Sequence, residues 1–333
     1  MKVAIVKLSS LGDVVHALPV AASLRVGLPG ARLAWIVEVR EAGVLSGHPA
    51  LDEVIAVDTR RWRRARRPRD LVRAAGEVWR LARRLSAARF DVTLDLQGLW
   101  KSAVLARLTR APVRLGFAAS WCREPASARL HTRRVSPPPA AHHVVEQYLA
   151  LLEPLGVRTR VLDFTLPVDP VAEAAVDDYL AGAGLKPRDR LVVLNPGAGR
   201  ADKRWPAERF AELARRLADE GGARCLVVWG PGEEATARHI AAGAGPRTVL
   251  GPPTDLGALL AVLRRASVVV AADTGPLHLA AALGRPCVGL YGPTRAARNG
   301  PYGSGHRTLT APDGRMTSIP AGAVAAAVLE LLG

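Results

Sequence analysis

Cysteine, aromatic residues and long apolar runs are all scarce in this chain of 333 residues. Its three cysteines, Cys122, Cys225 and Cys287, stand far apart and show no metal-ligand spacing. A small and odd number of cysteines argues against a secreted domain held together by disulfide bonds and favours a reducing compartment. Aromatic residues make up 5% of the chain, which is few for a surface that stacks nucleic-acid bases.

From the sequence pattern we expect neither a membrane span nor a signal peptide. No apolar run approaches the roughly 18–20 residues needed to cross a bilayer. Lys7 and Asp13 interrupt the region where a signal peptide has its apolar centre. We therefore expect a cytoplasmic protein whose contact with a membrane is at most peripheral.

Positive charge is concentrated in the first half of the chain. Residues 1–165 carry 27 Lys and Arg against 14 Asp and Glu, whereas residues 166–333 carry 19 against 16. The asymmetry predicts that the first half meets an acidic partner, which is nucleic acid, an anionic membrane or a phosphorylated substrate. The length suits two domains, each apolar enough to bury its own core.

Short apolar runs alternate with amphipathic segments in both halves, which is typical of parallel α/β layers. We predict strands at 2–7, 33–37, 54–57, 92–95, 113–116, 191–194, 225–228, 248–250, 268–271 and 288–290. We predict helices at 14–26, 70–87, 100–108, 143–155, 171–183, 206–219, 232–243, 256–265 and 320–332. The fold class is then α/β, with Rossmann-like domains at 1–165 and 186–333 and a linker with a connecting helix at 166–185.

The loop after the first predicted strand, Lys7-Leu8-Ser9-Ser10-Leu11-Gly12-Asp13, is the most informative segment. Its small residues let a ligand approach the backbone at the carboxyl end of a sheet, where open α/β sheets bind ligands. Asp13 is either a general base for an attacking hydroxyl or the N-cap of the next helix. His16, one turn further on, is either a substrate contact or an ordinary residue on the helix surface.

Two loops in the second half are suited to a diphosphate. Residues 195–206 form a Gly-rich loop with Lys203 ahead of a predicted helix, without the glycine spacing of a Walker or Rossmann loop. In residues 272–278, Thr274 or Gly275 is expected to cap a helix whose N-terminal amides face an anion, with His278 one turn in. The alternatives are a solvated lysine that anchors its loop and an ordinary capped helix.

Two further segments have both a functional and a structural interpretation. Glu233 or Glu234, after Trp229-Gly230-Pro231-Gly232, either accepts hydrogen bonds from nucleoside hydroxyls or is an acid favoured by a helix dipole. Residues 60–69 include seven arginines and either bind nucleic acid, lipid head groups or a phosphorylated acceptor, or are simply solvated.

Together these segments resemble the lipopolysaccharide heptosyltransferases of glycosyltransferase family 9, and the type I enzymes most closely. The resemblance spans residues 1 to about 305 in chain order. It departs from the type I pattern at Ala198-Gly199, where hydroxyl side chains are expected, and at Val39-Arg40. Besides the first loop it rests on the strings Arg60-Arg61-Trp62-Arg63, Asp95-Leu96-Gln97-Gly98-Leu99-Trp100-Lys101-Ser102, Arg123-Glu124-Pro125, Lys203-Arg204-Trp205-Pro206, Asp273-Thr274-Gly275-Pro276-Leu277-His278 and Tyr291-Gly292-Pro293-Thr294.

The resemblance implies a GT-B architecture, in which two Rossmann-like domains face each other across a cleft. It implies inverting transfer of heptose from ADP-L-glycero-D-manno-heptose to the Kdo region of Kdo2-lipid A, with Asp13 and Lys203 as catalytic residues. The donor-binding residues that it implies are Gly199, Lys203, Glu233, Asp273, Thr274, Gly275 and His278. The acceptor-binding residues that it implies are Ser10, Gly12, His16, Arg60, Arg61, Arg63, Lys101 and Arg123.

No Asp-x-Asp motif occurs, so we expect no metal site, and we expect no cofactor. The expected partners are the ADP-heptose donor, the Kdo2-lipid A acceptor and the anionic inner face of the inner membrane, and not nucleic acid. One alternative is a family 9 enzyme with another donor sugar or a heptosyltransferase II-like acceptor, which the departure at Ala198-Gly199 keeps open. The other is a basic module that binds nucleic acid or membrane without catalysis.

Overall fold

The computed structural model describes residues 1–333. The chain forms two compact units, Met1–Thr165 and Leu166–Gly333. Each unit contains one six-stranded sheet in which all paired strands are parallel. Helices connect the strands, so the α/β class with two Rossmann-like domains is confirmed. The segment 166–185, which the sequence suggests as a linker and connecting helix, falls within the second unit.

The first unit begins with a strand, as predicted. Its strands are β1 (Lys2–Val6), β2 (Arg32–Glu38), β3 (Glu53–Val57), β4 (Val92–Asp95), β5 (Val113–Phe117) and β6 (Arg133–Val135). Its α-helices are α1 (Leu11–Gly27), α2 (Thr59–Arg64), α3 (Pro68–Ala87), α4 (Trp100–Leu108) and α5 (Val144–Ala150). Short 3-10 helices lie at Ala42–Leu45, Ala119–Trp121, Pro125–Leu130 and Glu153–Leu155.

The strand order in the first sheet is β3-β2-β1-β4-β5-β6. The order changes direction between β1 and β4, so the loops that follow these two strands flank a crevice at the carboxyl edge of the sheet. Val3 and Ile5 point to one face of β1, Ala4 and Val6 to the other, and all four are fully buried. Burial of both faces explains why the strand is a continuous apolar run and shows no alternation.

The second unit contains the remaining elements. Its strands are β7 (Leu191–Asn195), β8 (Arg224–Val227), β9 (Thr248–Leu250), β10 (Val268–Ala272), β11 (Cys287–Tyr291) and β12 (Arg307–Thr310). Its α-helices are α6 (Pro170–Gly182), α7 (Ala207–Gly221), α8 (Glu234–Gly243), α9 (Leu256–Arg265), α10 (Gly275–Ala282), α11 (Ala296–Asn299) and α12 (Ala321–Leu332). Two 3-10 helices lie at Ala201–Lys203 and Met316–Ser318.

The second sheet has the order β12-β11-β10-β7-β8-β9, the same arrangement as in the first unit. Its switch point lies between β7 and β10, so the loops that begin at Asn195 and Asp273 are neighbours at the carboxyl edge. Helix α6 packs on α9, where Glu173 pairs with Arg264 and Arg265. Helix α12 packs on α7 within the same unit. None of the α-helices combines the length and apolar content of a membrane span.

Candidate active site

Asp13 lies in the first turn of α1, three residues beyond Ser10, which is the N-cap. Its Oδ2 accepts hydrogen bonds from the backbone N–H of Ser10 at 3.0 Å and from the Ser10 hydroxyl at 2.7 Å. The helix therefore starts at Leu11, ahead of the predicted residue 14, and the N-cap interpretation of Asp13 is wrong. The carboxylate instead reaches back to Ser10, as the acid of a capping box does.

A buried lysine lies on the other side of the Asp13 carboxylate. Lys7 is 4% exposed, and its Nζ donates to the Tyr148 hydroxyl at 2.6 Å and to the Leu96 carbonyl at 3.2 Å. Oδ1 of Asp13 lies 3.8 Å from this Nζ and accepts from the Tyr148 hydroxyl at 3.5 Å. Asp13 is thus held from both sides, while 37% of its side chain remains exposed.

The loop after β1 is also tied to the loop after β4. Gln97 accepts a hydrogen bond from the Leu8 backbone at 2.7 Å through Oε1 and donates to the Ser9 carbonyl at 2.6 Å through Nε2. Asp95, which is fully buried, accepts from the Gln97 backbone at 2.9 Å. These bonds connect the segments that follow β1 and β4, just before Asp13 in the chain. Gln97 and Tyr148 were not predicted as site residues. Gln97 lies in one of the strings that carry the resemblance, whereas nothing in the sequence around Tyr148 marks its contact with Asp13.

Lys101 of α4 lies beside the same loop. Its Nζ donates to the Ser9 hydroxyl at 3.2 Å and lies 3.7 Å from Oε1 of Glu38. Glu38 ends β2, is 1% exposed and accepts hydrogen bonds from the backbone and hydroxyl of Thr59. Lys101 therefore connects the ends of β1 and β2 to the start of α2 and, at 27% exposure, still reaches solvent.

The predicted acceptor arginines belong to α2. Arg60 pairs with Glu41 at 3.2 Å, and Arg61 pairs with Glu77 at 3.3 Å, whereas Arg63 is exposed. Burial raises the pKa of Glu41 above its ordinary value, although the guanidinium of Arg60 opposes the rise. The first part of the arginine run, residues 60–64, therefore lies in a short helix with two ion pairs, whereas residues 66 and 67 lie between α2 and α3 and are exposed.

The remaining acceptor candidates are His16, Gly12 and Arg123. His16 is 4% exposed, and its ring meets His143 edge-on with 5.2 Å between the ring centroids, so it is not a residue of the helix surface. Gly12 is buried in the first turn of α1. Arg123 is exposed between two 3-10 helices, and no hydrogen bond or ion pair joins it to the other candidates.

In the second unit, Asp273 brings two predicted donor-binding residues together. It follows β10, and its Oδ2 accepts from Lys203 Nζ at 2.7 Å while its Oδ1 lies 3.1 Å from His278 Nε2. Burial alone would raise the pKa of Asp273, but the hydrogen bonds and charges of His278 and Lys203 outweigh it and hold that pKa well below its ordinary value. Lys203 also donates to the Asp273 carbonyl at 3.2 Å, which leaves one of its three ammonium N–H groups for a ligand.

The N-terminus of α10 lies next to this cluster. Thr274 is the N-cap residue, and Pro276 stands in the first turn, as predicted. The Thr274 hydroxyl donates to the Ala272 carbonyl at 3.1 Å and accepts from Asn195 at 3.4 Å, so it does not cap the helix through its side chain. The amides at this end, including that of Gly275, carry the positive end of the helix dipole.

Glu233 occupies the N-cap position of α8, and its Oε2 accepts from the Gly230 backbone at 3.0 Å. It closely approaches the Gly-rich loop, because a Cβ placed on Gly197 would lie 2.1 Å from that oxygen. A Cβ at Gly199 would meet open space, and Gly199 is exposed. The structure thus joins Lys203, Asp273 and His278 in one cluster and places Glu233 beside the start of the same loop.

No group of three or more His, Cys, Asp or Glu side chains is arranged to hold a metal ion anywhere in residues 1–333.

The profile of glycosyltransferase family 9 (heptosyltransferase) matches residues 78–319. The chain is 34% identical over 325 residues to lipopolysaccharide heptosyltransferase 1 of Escherichia coli, covering 97% of this chain and 98% of that protein. It is 36% identical over 306 residues to lipopolysaccharide heptosyltransferase 1 of Pseudomonas aeruginosa, covering 91% of this chain and 82% of that protein.

Among solved structures, the chain is similar to the E. coli heptosyltransferase WaaC with ADP-2-deoxy-2-fluoro heptose. The TM-score is 0.80 at 33% sequence identity, and the match covers 99% of each chain. The structure of WaaC with ADP gives a TM-score of 0.81 at 32% identity over 99% of this chain and 100% of that chain.

Proposed function

The chain belongs to glycosyltransferase family 9, and we propose that it is an inverting, metal-independent heptosyltransferase of the lipopolysaccharide inner core. It transfers heptose from ADP-L-glycero-D-manno-heptose to the Kdo region of Kdo2-lipid A. The observation that carries the proposal is the Asp13 carboxylate, partly exposed and held from both sides at the switch point of the first sheet.

Asp13 acts as the general base. Its carboxylate takes the proton of an acceptor hydroxyl as the oxygen of that hydroxyl attacks the anomeric carbon of the heptose. The new carbon–oxygen bond forms on the face opposite the diphosphate, the bond from the anomeric carbon to the β-phosphate oxygen breaks, and ADP leaves with that electron pair. The bonds from Ser10 and Tyr148 support this role because they fix the carboxylate before the substrate arrives.

The second unit binds the donor and stabilises the departing ADP. The third N–H of Lys203, the imidazole of His278 and the amides at the N-terminus of α10 supply positive potential where the leaving diphosphate gains charge. These protein groups do the work that a divalent cation does in other transferases, which supports metal independence. Asp273 orients Lys203 and His278 toward that position.

The basic residues of the first unit bind the acidic acceptor. Lys101, Arg60, Arg61, Arg63 and Arg123 offer cations to the carboxylates and phosphates of Kdo2-lipid A. Because that acceptor is a lipid, we place the protein in the cytoplasm, at the anionic inner face of the inner membrane.

A different acceptor or donor sugar is the second candidate. Ala198 is 4% exposed and Gly199 carries no side chain, so this part of the Gly-rich loop offers no hydroxyl to a sugar. A heptosyltransferase II-like acceptor, heptosylated core, is therefore the first substitute to assay if Kdo2-lipid A is not used.

The Asp13→Asn variant tests the mechanism. Asn has the same shape but accepts no proton, so we expect kcat to fall by about 10²–10⁴-fold with little change in the KM for the donor. The measurement is ADP release under saturating substrates, together with the Tm of each protein. Asp178→Asn, at an exposed aspartate of α6, is the matched control. Near-normal turnover by folded Asp13→Asn protein would remove Asp13 from the mechanism.

A further inference from the structure

Helices α3 and α4 have outer surfaces that the proposed catalytic roles leave unused. Both helices cover the same face of the first sheet, because Leu85 of α3 and Leu105 of α4 share one core cluster with Ala4 and Val6 of β1. The two helices also contact each other. Their opposite sides therefore face solvent on the same side of the unit.

These outer surfaces expose large apolar side chains in helical register. On α3, Val72 is 74% exposed and Trp79 is 59% exposed, and their separation of seven residues places them on one stripe. On α4, Trp100 is 45% exposed and Val104, one turn on, is 44% exposed. Single exposed apolar residues need no explanation, but apolar stripes on two neighbouring helices mark an interaction surface.

Arginines surround the apolar stripe of α3. Arg69, Arg73, Arg80 and Arg83 are exposed on this helix, and the guanidinium of Arg83 lies 4.9 Å from the centre of the Trp79 ring. In α3 the sequence has five arginines against two acidic residues. An indole beside guanidinium groups is the combination that amphipathic helices place at the boundary between lipid head groups and acyl chains.

The distribution of tryptophan supports a membrane-facing first unit. Three of the seven tryptophans are exposed, namely Trp79, Trp100 and Trp121, and all three lie in the first unit. In the second unit Trp205 is 2% exposed, and Trp229 is half-buried with its indole bonded to the Gly251 carbonyl. Exposed indoles therefore coincide with the half of the chain that carries 27 Lys and Arg against 14 Asp and Glu.

We propose that the outer surface of α3 and α4 docks on an anionic phospholipid bilayer. Trp79, Trp100 and Val72 enter the head-group region, and the flanking arginines meet lipid phosphates. Charge complementarity selects this occupant, since a second copy of the chain would bring arginines against arginines. The inference rests on the proposed function in one respect: a lipid acceptor gives the docked enzyme its substrate.

Vesicle co-sedimentation with the full-length protein tests the docking surface. We expect binding to phosphatidylcholine vesicles that contain phosphatidylglycerol, and little binding to phosphatidylcholine alone. The Val72→Ser, Trp79→Ser double variant removes the stripe of α3 and should weaken binding roughly tenfold or more. Arg80→Glu with Arg83→Glu keeps the apolar residues and should weaken binding by a similar factor.

The matched control is Val168→Ser with Val171→Ser, which removes two apolar side chains of the second unit that are 64% and 79% exposed. This control should bind vesicles like the parent protein. Equal vesicle binding by the parent and the α3 variants would overturn the proposal, and so would an equal loss in the control. A change of sedimentation coefficient from dimer to monomer in the α3 variants would show that a second copy occupies the surface, and would also overturn it.

Transfer assays separate this proposal from the proposed function. The α3 variants should transfer heptose normally to the deacylated, water-soluble Kdo acceptor and more slowly than the parent to Kdo2-lipid A embedded in anionic vesicles. If the parent protein transferred heptose normally but bound no vesicles, the docking proposal would be overturned and the proposed function would stand. Normal vesicle binding without transfer to either acceptor would overturn the proposed function and leave the docking surface supported.

Discussion

At the scale of single residues, Asp273 is the centre of the candidate donor site. It pairs with Lys203 and His278 while being almost fully buried, and the two partners hold its pKa below the ordinary value against the opposing effect of burial. A buried carboxylate with two partners is costly to disturb, because removing its charge leaves the partners without an acceptor of equal strength. Asp273 therefore contributes to stability as well as to the position of Lys203 and His278.

The Asp273→Asn variant should lose stability in a pH-dependent manner. The pKa of Asp273 in the folded protein lies below its unfolded value of about 3.9, so its contribution is present above about pH 4 and is lost as the pH falls toward the folded pKa. We expect a deficit of about 2–3 kcal/mol near pH 7 that shrinks below about pH 4. Urea unfolding of parent and variant across this range measures it. A deficit that stays constant or grows in acid would contradict this account of Asp273.

The Lys203→Met variant tests the donor site. Met keeps an unbranched apolar stem but supplies no positive charge. The departing diphosphate therefore loses one of the cations that are proposed to stabilise it. We expect kcat to fall by about 10²–10³-fold and ADP to bind more weakly in calorimetry. Lys186→Met, at an exposed lysine of the same unit, is the control. Normal kcat and ADP affinity in Lys203→Met would exclude the proposed contact with the diphosphate.

At the level of secondary-structure elements, the loop after β7 closely approaches Glu233, the N-cap residue of α8. Gly197→Ala would place a methyl group 2.1 Å from the Glu233 carboxylate, which is the far end of a flexible side chain and can move. We therefore expect little change in Tm but weaker binding of ADP, because Glu233 is displaced from its bond to Gly230. Calorimetric titration with ADP measures the effect.

Gly322→Ala provides the comparison for that loop variant. A Cβ at this position of α12 meets no atom within 4 Å, and Ala favours a helix over Gly. Its ADP affinity should equal that of the parent, and its Tm should not fall. If Gly197→Ala bound ADP as tightly as Gly322→Ala, Glu233 would have no part in nucleoside binding.

Elements with continuous apolar runs were predicted well, and short polar ones were not. β1, β7 and β10 lie in the interiors of their sheets, so both of their faces are apolar and the sequence predicts them directly. β6 and β12 are edge strands of three and four residues, too short and too polar for a clear pattern. α2 was missed because six residues rich in arginine show no apolar period, although its Asp58 N-cap accepts from the Arg61 backbone.

Within each unit of the molecule, the candidate residues lie near the carboxyl edge of that unit's own sheet, where the strand order brings two strand ends side by side. The segments after β1, β7 and β10, which lead to Asp13, Lys203 and Asp273, were predicted from local pattern and resemblance, since each follows an apolar strand. The contacts of Tyr148 with Asp13 and of Gln97 with Ser9 were not predicted, because these pairs lie 135 and 88 positions apart along the chain. The first contact depends on the packing of α5 against α1 and the second on the pairing of β1 with β4, and composition and periodicity provide neither.

The two units divide the proposed work by charge. In the proposed function, the strongly basic first unit offers cations to the acidic acceptor and to the bilayer. The second unit, with 19 Lys and Arg against 16 Asp and Glu, binds the donor through Lys203, His278 and the start of α10. Salt should therefore weaken the use of vesicle-embedded acceptor more than the binding of ADP.

Mass spectrometry of the products formed from ADP-heptose and Kdo2-lipid A in the presence of EDTA tests whether this protein is a metal-independent heptosyltransferase. We expect the purified protein to add a single heptose to the acceptor, and Asp13→Asn protein, run in parallel, to form almost no product. Absence of transfer, or transfer that appears only when Mg²⁺ or Mn²⁺ replaces the chelator, would show that the proposed function is wrong.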